Sequence, residues 1–461
     1  GTLTGLTVSG EASVTTLDIG GTDVTSTAAE LNVLDGALKE NNSIWIGNDP
    51  SSTTNSAEYN NAIGVSALAS ITTGDFNTAM GWRALKYNTT GHSNIGIGYV
   101  ALRDNITDVG NVAIGYQSMQ DANGAEYNTA VGNNALRGTT DTDITGDENV
   151  AIGAGSMKFN IAGALNTAVG RSSLYTNTSG SNNTAMGYQS LLSNTTGSSN
   201  TAVGYYALQD ATTEGSLTAV GYGAAANNTT GSGTVALGYD ALTTNTTGDY
   251  NTALGMYALR YNLTGEKNTA TGYKALTANT TGSYNTANGY FTLSSNTTGE
   301  YNTATGYHSL VFNTTGSHNT AFGYSTLYVN TTGHSNTATG WRSLRANTTG
   351  SYNNASGYQS LTANTVGNYN TGSGYRALYA TTTGDRNTAL GSTAGDAITT
   401  GGNNVMLGFG TDPDAVDGIE QIVIGYNATG HGDYIAVIGN TSMTAWHPAD
   451  DGGVDLGSGS Y

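Results

Sequence analysis

The sequence predicts an all-β protein, a β-solenoid of short stacked coils, and three observations carry that prediction. The phrase N-T-A-x-G-Y-x-x-L-x-x-N-T-T-G recurs with little drift, and the glycine that follows N-T-A-x returns with a constant step of 17 over most of the chain. Each unit closes on the same turn chemistry, as in Asn279-Thr280-Thr281-Gly282 and Asn313-Thr314-Thr315-Gly316. Proline occurs only at Pro50, Pro413 and Pro448, which leaves residues 51–412 without one. A stack that bonds nearly every backbone N–H to the next coil excludes a residue with no N–H to give.

The marker glycine falls at Gly47, Gly64, Gly81, Gly98, Gly115 and Gly132, then, after a step of 21, at Gly153. From there the regular step resumes through Gly170, Gly255, Gly340 and Gly408 to Gly425, and a last step of 14 reaches Gly439. A unit of 17 is too short for a helix pair or a propeller blade and fits one coil with two short strands and two turns. Each column then has a predicted role. Four residues before the marker, Asn251, Asn268, Asn285, Asn302, Asn319 and Asn336 are expected to form a side-chain amide ladder. Two before it, Ala253, Ala270, Ala287 and their equivalents imply close backbone approach. The marker itself implies φ > 0 or a bend with no room for a Cβ. Four after it, Leu259, Leu276, Leu293, Leu310, Leu327, Leu344, Leu361 and Leu378 are the predicted core.

Four segments follow in chain order. Residues 1–42 read as a β-rich stem in which Thr27-Ala28-Ala29-Glu30 forms a capping box for a short helix near 28–35, stopped by Gly36. Residues 43–411 are the repeat. Residues 412–443 hold an acidic loop (Asp412, Asp414, Asp417) and the last irregular coils, Ile422–Gly425 and Ile435–Gly439. Residues 444–461 form a distal segment. The chain opens at Gly1 rather than Met, as a fragment or processed product would.

Composition narrows the function classes. There are 14 Lys+Arg against 33 Asp+Glu, a net charge of −19, which argues against nucleic acid as a partner. Cysteine is absent, so thiol nucleophiles and Cys-ligated zinc are excluded. No apolar run reaches the length of a membrane span, so no membrane insertion is expected. Low charge with abundant Gly, Asn, Ser and Thr is a signature of disorder, but the regular spacing of the 29 Tyr overturns it.

The coils Asn149-Val150-Ala151-Ile152-Gly153 and Asn183-Thr184-Ala185-Met186-Gly187 resemble the N-S-V-A-I-G coils of trimeric autotransporter adhesin heads. That resemblance implies a left-handed parallel β-roll assembled as a homotrimer, although the usual coil of those heads is shorter and is matched here only by the last step, to Gly439. Thr25-Ser26-Thr27-Ala28-Ala29-Glu30-Leu31-Asn32-Val33-Leu34-Asp35-Gly36 is similar to a segment of tailed-bacteriophage tail fibres, especially those of marine phages. Val454-Asp455-Leu456-Gly457-Ser458-Gly459-Ser460-Tyr461 resembles the junction before a self-cleaving C-terminal chaperone domain.

The chemistry sought in the sequence is sparse. His92, His308, His318, His334, His431 and His447 have no metal-ligand spacing, although one axial His in a trimer would give three ligands. No metal or cofactor is expected, and the acidic loop at 412–417 reads as solvated. Glycosidase chemistry needs two carboxyls about 5–10 Å apart with one pKa raised, and most coils carry one acidic residue or none. The aromatic column one after the marker (Tyr205, Tyr222, Tyr239, Tyr273, Tyr290, Tyr307, Tyr324, Trp341, Tyr358, Tyr375) would suit sugars if exposed. Its regularity favours packing instead, in the roll's own core or at a trimer contact. Threonines beside Asn and in turns, rather than in flat T-x-T pairs, argue against ice binding.

The sequence therefore predicts a non-enzymatic, extracellular or virion-borne fibre segment. It would be a homotrimeric spacer that presents a distal receptor-binding end to a host cell-surface glycan or protein and joins other virion tail proteins. Trp446 and His447 are the candidate receptor contacts. A bacterial surface adhesin built of the same roll is the alternative reading, and a polysaccharide depolymerase fibre the third.

Overall fold

The computed structural model describes residues 17–19, 22–24, 37–40, 42–47, 54, 56–139 and 142–443. It is all-β, a parallel β-solenoid of about 23 turns of ~17 residues with no helix among the described residues. The helix expected near 28–35 lies outside them. The chain forms two compact units, Gly1–Ala154 and Gly155–Tyr461.

In the first unit, Leu17–Ile19 and Thr22–Val24 form a small antiparallel pair. Ala37–Glu40 then pairs antiparallel with Ser43–Ile46. From Ser43–Ile46 the ladder is parallel, running through Asn61–Ile63, Thr78–Met80, Ile95–Ile97, Val112–Ile114 and Thr129–Val131 to Val150–Ile152. The irregular step of 21 precedes that last strand. In the second unit the strands run from Thr167–Val169 to Ala436–Ile438, each parallel to the next and in strict register, as in Thr252↔Thr269, Ala253↔Ala270 and Leu254↔Thr271.

Each coil has one short strand, of three residues in every coil after Ser43–Ile46, where the spacing predicts two. The reason is in the backbone. Besides the marker glycine, regular coils place three residues in the left-handed region, most of them not glycine: five before, two after and four after the marker. In one coil these are Tyr250 (φ 55°), Tyr257 (φ 62°) and Leu259 (φ 50°). Such conformations cost of order 1–3 kcal/mol each and persist only where the surroundings over-determine them. Here neighbouring coils hold all three. Tyr250 N donates to Ser232 O (2.8 Å), Tyr257 N to Tyr239 O (3.0 Å) and Leu259 N to Ala275 O (3.0 Å). The bends interrupt any second strand while inter-coil bonding continues around the turn.

The marker column behaves as predicted. Gly306 has φ +123°, and a Cβ there would meet Gly323 O at 2.4 Å. The leucine and alanine columns are fully buried. The remaining core is polar, made of two columns of buried asparagine. In the column four before the marker, Oδ1 accepts from the backbone of the next coil (Asn285 N to Asn268 Oδ1, 2.9 Å), and Nδ2 donates to the next turn's carbonyl (Asn268 Nδ2 to Gly282 O, 2.8 Å). The same column forms the amide-to-amide ladder expected of it, with Asn268 Nδ2 donating to Asn251 Oδ1 and Asn285 to Asn268 at 3.2 Å, Asn302 to Asn285 at 3.1 Å, and Asn319 to Asn302 and Asn336 to Asn319 at 3.2 Å. A second amide ladder, with shorter bonds, runs through the turn asparagine seven after the marker. Asn279 Nδ2 donates to Asn262 Oδ1 at 2.7 Å, Asn296 to Asn279, Asn313 to Asn296 and Asn330 to Asn313 at 2.8 Å each. Each amide also reaches the glycine three residues on, as in Asn313 Nδ2 to Gly316 O at 2.8 Å. That glycine is obligatory there, because a Cβ on Gly316 would lie 2.5 Å from Asn313 Oδ1 and 2.4 Å from Gly333 O.

Candidate functional site

Since the interior is filled by Ala, Leu and Asn, the remaining apolar side chains face outward. Two faces of the coil carry them. The first is the outer surface of the strands, formed by residues three and one before the marker. In the first unit Ile63, Met80, Ile97, Ile114, Val131 and Ile152 form one column there, and in the second Val169, Met186, Val203, Val220, Leu237 and Leu254. Seven of these twelve are 37–44% exposed. From Thr271 to Ser373 the same column turns polar (Thr271, Asn288, Thr305, Thr339, Ser356, Ser373), with Phe322 the exception. Flat T-x-T pairs do occur, contrary to expectation, on Thr269–Thr271, Thr303–Thr305 and Thr337–Thr339. They alternate with strands that carry Asn288 and a protruding Phe322, so they do not tile a continuous threonine surface.

The second face lies just beyond the marker bend. The aromatic column is not in the roll's own core. Its rings are partly exposed and stack on one another along the coils. Tyr205–Tyr222 lie 5.3 Å apart with an interplanar angle of 4°, Tyr290–Tyr307 5.2 Å at 2°, Tyr307–Tyr324 5.4 Å at 3° and Trp341–Tyr358 4.6 Å at 7°. Stacked in this way, the rings cover each other's faces and show solvent their edges and hydroxyls. The column five before the marker forms a further set of short stacks, unrecognised in the sequence because Ser, Gly and Asn interrupt it: Tyr59–Phe76 at 5.0 Å, Tyr284–Tyr301 and Tyr352–Tyr369 at 4.8 Å.

Charge is also sorted between faces. Of the 14 Lys+Arg, 11 stand one, two or five residues after a marker, beside the aromatic column. Several lie over rings, with Arg83 over Trp82 at 4.1 Å, Arg342 over Trp341 at 4.2 Å and Arg376 over Tyr379 at 3.9 Å. Eight carboxylates stand instead six before the marker, at Glu58, Asp75, Glu126, Asp147, Asp249, Glu266, Glu300 and Asp385, while Asp104, Asp121, Asp210 and Asp240 stand among the cations. A net charge of −19 therefore conceals a basic, aromatic face.

Two local departures stand out in the second unit. At one, Tyr290, Phe291, Ser294, Ser295, Tyr307, His308, Val311, Phe312 and Tyr328 line a groove of about 500 Å³. At the other, Asp412 and Asp396 share a carboxyl–carboxyl hydrogen bond. Burial raises both, Asp412 to about 6, and Asp396 adds to that rise. So Asp412 is half-buried rather than solvated, whereas Asp414 and Asp417 are exposed as expected. Carboxyls in direct contact leave no room for the water or sugar atom that a glycosidase pair brackets.

Of the candidate residues, Trp446 and His447 lie outside the described residues. His92, His308, His318, His334 and His431 sit in separate coils, and no group of three or more metal-ligating side chains converges among the described residues. No helix among the described residues is long and apolar enough to cross a membrane. No known family profile matches the chain, and no curated protein matches it in sequence.

Proposed function

We propose that the chain is a structural fibre segment that assembles as a homotrimer through the outer face of its strands and serves as a spacer in host attachment. The observation that carries this reading is the outward column Ile63 to Ile152, with its counterpart Val169 to Leu254. Within each unit these apolar side chains lie on consecutive parallel strands, about 4.8 Å apart, with no partner inside the coil. A continuous apolar strip of this kind marks an association surface, and closed symmetry is the usual way to bury a repeated one. The thin interior supports the same reading, because alanine, leucine and paired amides bury little apolar area against the chain entropy of each ordered coil.

The tail-fibre setting rests on the similarity of Thr25–Gly36 and Val454–Tyr461 to phage fibre segments. In a virion, several trimeric fibres would convert weak single contacts with a surface glycan or protein into avidity. Light scattering of the native protein tests the assembly. Three chains per particle are expected, and a stable single chain at micromolar concentration would refute it.

A further inference from the structure

We propose that the groove between Tyr290 and Tyr328 binds a segment of acidic polysaccharide, with Lys274 and Arg345 holding its carboxylates. The proposal rests on the attachment reading only for the source of the saccharide, since the site itself is built from residues on the basic face. The stacked ladder runs on through this stretch in Tyr290, Tyr307 and Tyr324. Beside it a second set of rings meets edge to face, Phe312 with Tyr328 at 5.1 Å (84°) and Phe291 with His308 at 5.8 Å (87°). Edge-to-face pairs leave ring surface uncovered, and the groove they enclose, about 500 Å³, is in the range of small-ligand sites. Ser294, Ser295 and the tyrosine hydroxyls supply hydrogen-bonding groups for sugar hydroxyls. The His308 imidazole is held below its usual pKa by burial, so the floor is uncharged at neutral pH.

The charge is at the rims. Lys274 Nζ lies 5.1 Å from the centre of the Phe291 ring and Arg345 Cζ 5.4 Å from that of Tyr328, two of the groove's own walls. Neither cation makes an ion pair among the described residues, in contrast to Arg103 and Arg260. From Tyr257 to Tyr379 no Asp or Glu stands between one and six residues after a marker, so nothing on this face neutralises them. Apolar ring surface flanked by two unpaired cations is complementary to a pyranose chain with carboxylates spaced along it.

The test uses the whole chain, calorimetry, and a galacturonic acid hexamer, with maltohexaose as the neutral comparison and a hexathymidylate as a polyanion of another class. The acidic hexamer should bind. The double variant Lys274→Gln/Arg345→Gln should weaken it roughly ten-fold or more, the scale of losing charge-assisted hydrogen bonds. Phe312→Ala, at an exposed ring, should weaken it while leaving the melting temperature unchanged. Equal binding of maltohexaose, tighter binding of hexathymidylate, indifference to all three substitutions, or no binding at millimolar hexamer would each overturn the proposal. Light scattering on the same samples separates the two readings. A single chain that binds the hexamer refutes the trimer and keeps the groove, and a trimer that ignores it does the reverse.

Discussion

Within the second unit, the coils marked by Gly170 to Gly255 and those marked by Gly272 to Gly374 share one scaffold and one aromatic column and differ in the strand face and in the charges beside the rings. Both sets keep the buried leucine four after the marker wherever the column is regular, and a bonded asparagine four before it in nearly every coil. The first set shows Val169, Met186, Val203, Val220, Leu237 and Leu254 on its outer strand face, with Arg171 and Arg260 offset by Asp210 and Asp240 beside its aromatic column. The second shows mostly Thr, Asn and Ser on the strand face, and Lys274, Arg342, Arg345 and Arg376 beside its rings. Columns whose side chains are buried or bonded between coils are fixed, and columns whose side chains face solvent are free to carry surface chemistry. One coil design thus carries an apolar strand face in one stretch and a basic aromatic groove in the next.

The comparison can be broken at its common part first. Gly204→Ala and Gly306→Ala should each cost about 3 kcal/mol or more, because both force a Cβ to within 2.3–2.4 Å of the next coil's carbonyl at positive φ. Denaturant melts should show similar losses in the two stretches, and a large inequality would mean that the scaffold is not shared. Next comes the outer face. Val203→Asp with Val220→Asp should dissociate the proposed trimer, at about 2 kcal/mol or more per buried charge, whereas Thr305→Asp should leave the mass measured by light scattering unchanged.

The second amide ladder gives a smaller effect of stated sign. Asn313→Ala removes a link bonded on both sides and should cost about 1–3 kcal/mol. Asn364→Ala should cost less, since Asn364 Oδ1 already lacks a partner where Thr381 ends the ladder. Asn194 Oδ1 is orphaned in the same way at Ala211. Ala211→Asn alone should not repair it, because Glu214 stands where the ladder requires glycine. Combined with Glu214→Gly it should raise the melting midpoint, and the non-additivity is the diagnostic.

The smallest effect is the pH dependence of the Asp396–Asp412 pair. Burial raises Asp412 from 3.8 to about 6, so over that interval the folded chain binds more protons than the unfolded one. The pair's contribution is therefore complete below about pH 4 and is lost as pH rises through about 6. Asp412→Asn should flatten that slope in melts followed from pH 4 to 7.

The repeat, the marker's positive φ and the leucine core were all legible in the sequence, because each shows as a residue type that physical chemistry allows little freedom. What was not legible depended on context. Leu259 and Tyr257 in left-handed backbone contradict local propensity, and only the bonds from adjacent coils hold them there. The turn asparagines such as Asn279 read in the sequence as turn chemistry alone, yet they form a second amide ladder beside the one through Asn268. The aromatic column was regular enough to read as packing. Its regularity comes instead from rings stacking on one another at the surface, and the groove was hidden because Phe291, His308 and Phe312 are departures from the pattern rather than parts of it.

The antiparallel strand Ala37–Glu40 against Ser43–Ile46 has a consequence for folding. A chain of nearly interchangeable coils could misalign by one whole unit and lose almost nothing, since every ladder position offers an equivalent neighbour. The hairpin is unlike any later coil and offers its partner only one alignment. It gives the first unit's stack a fixed zero from which the following coils can be counted.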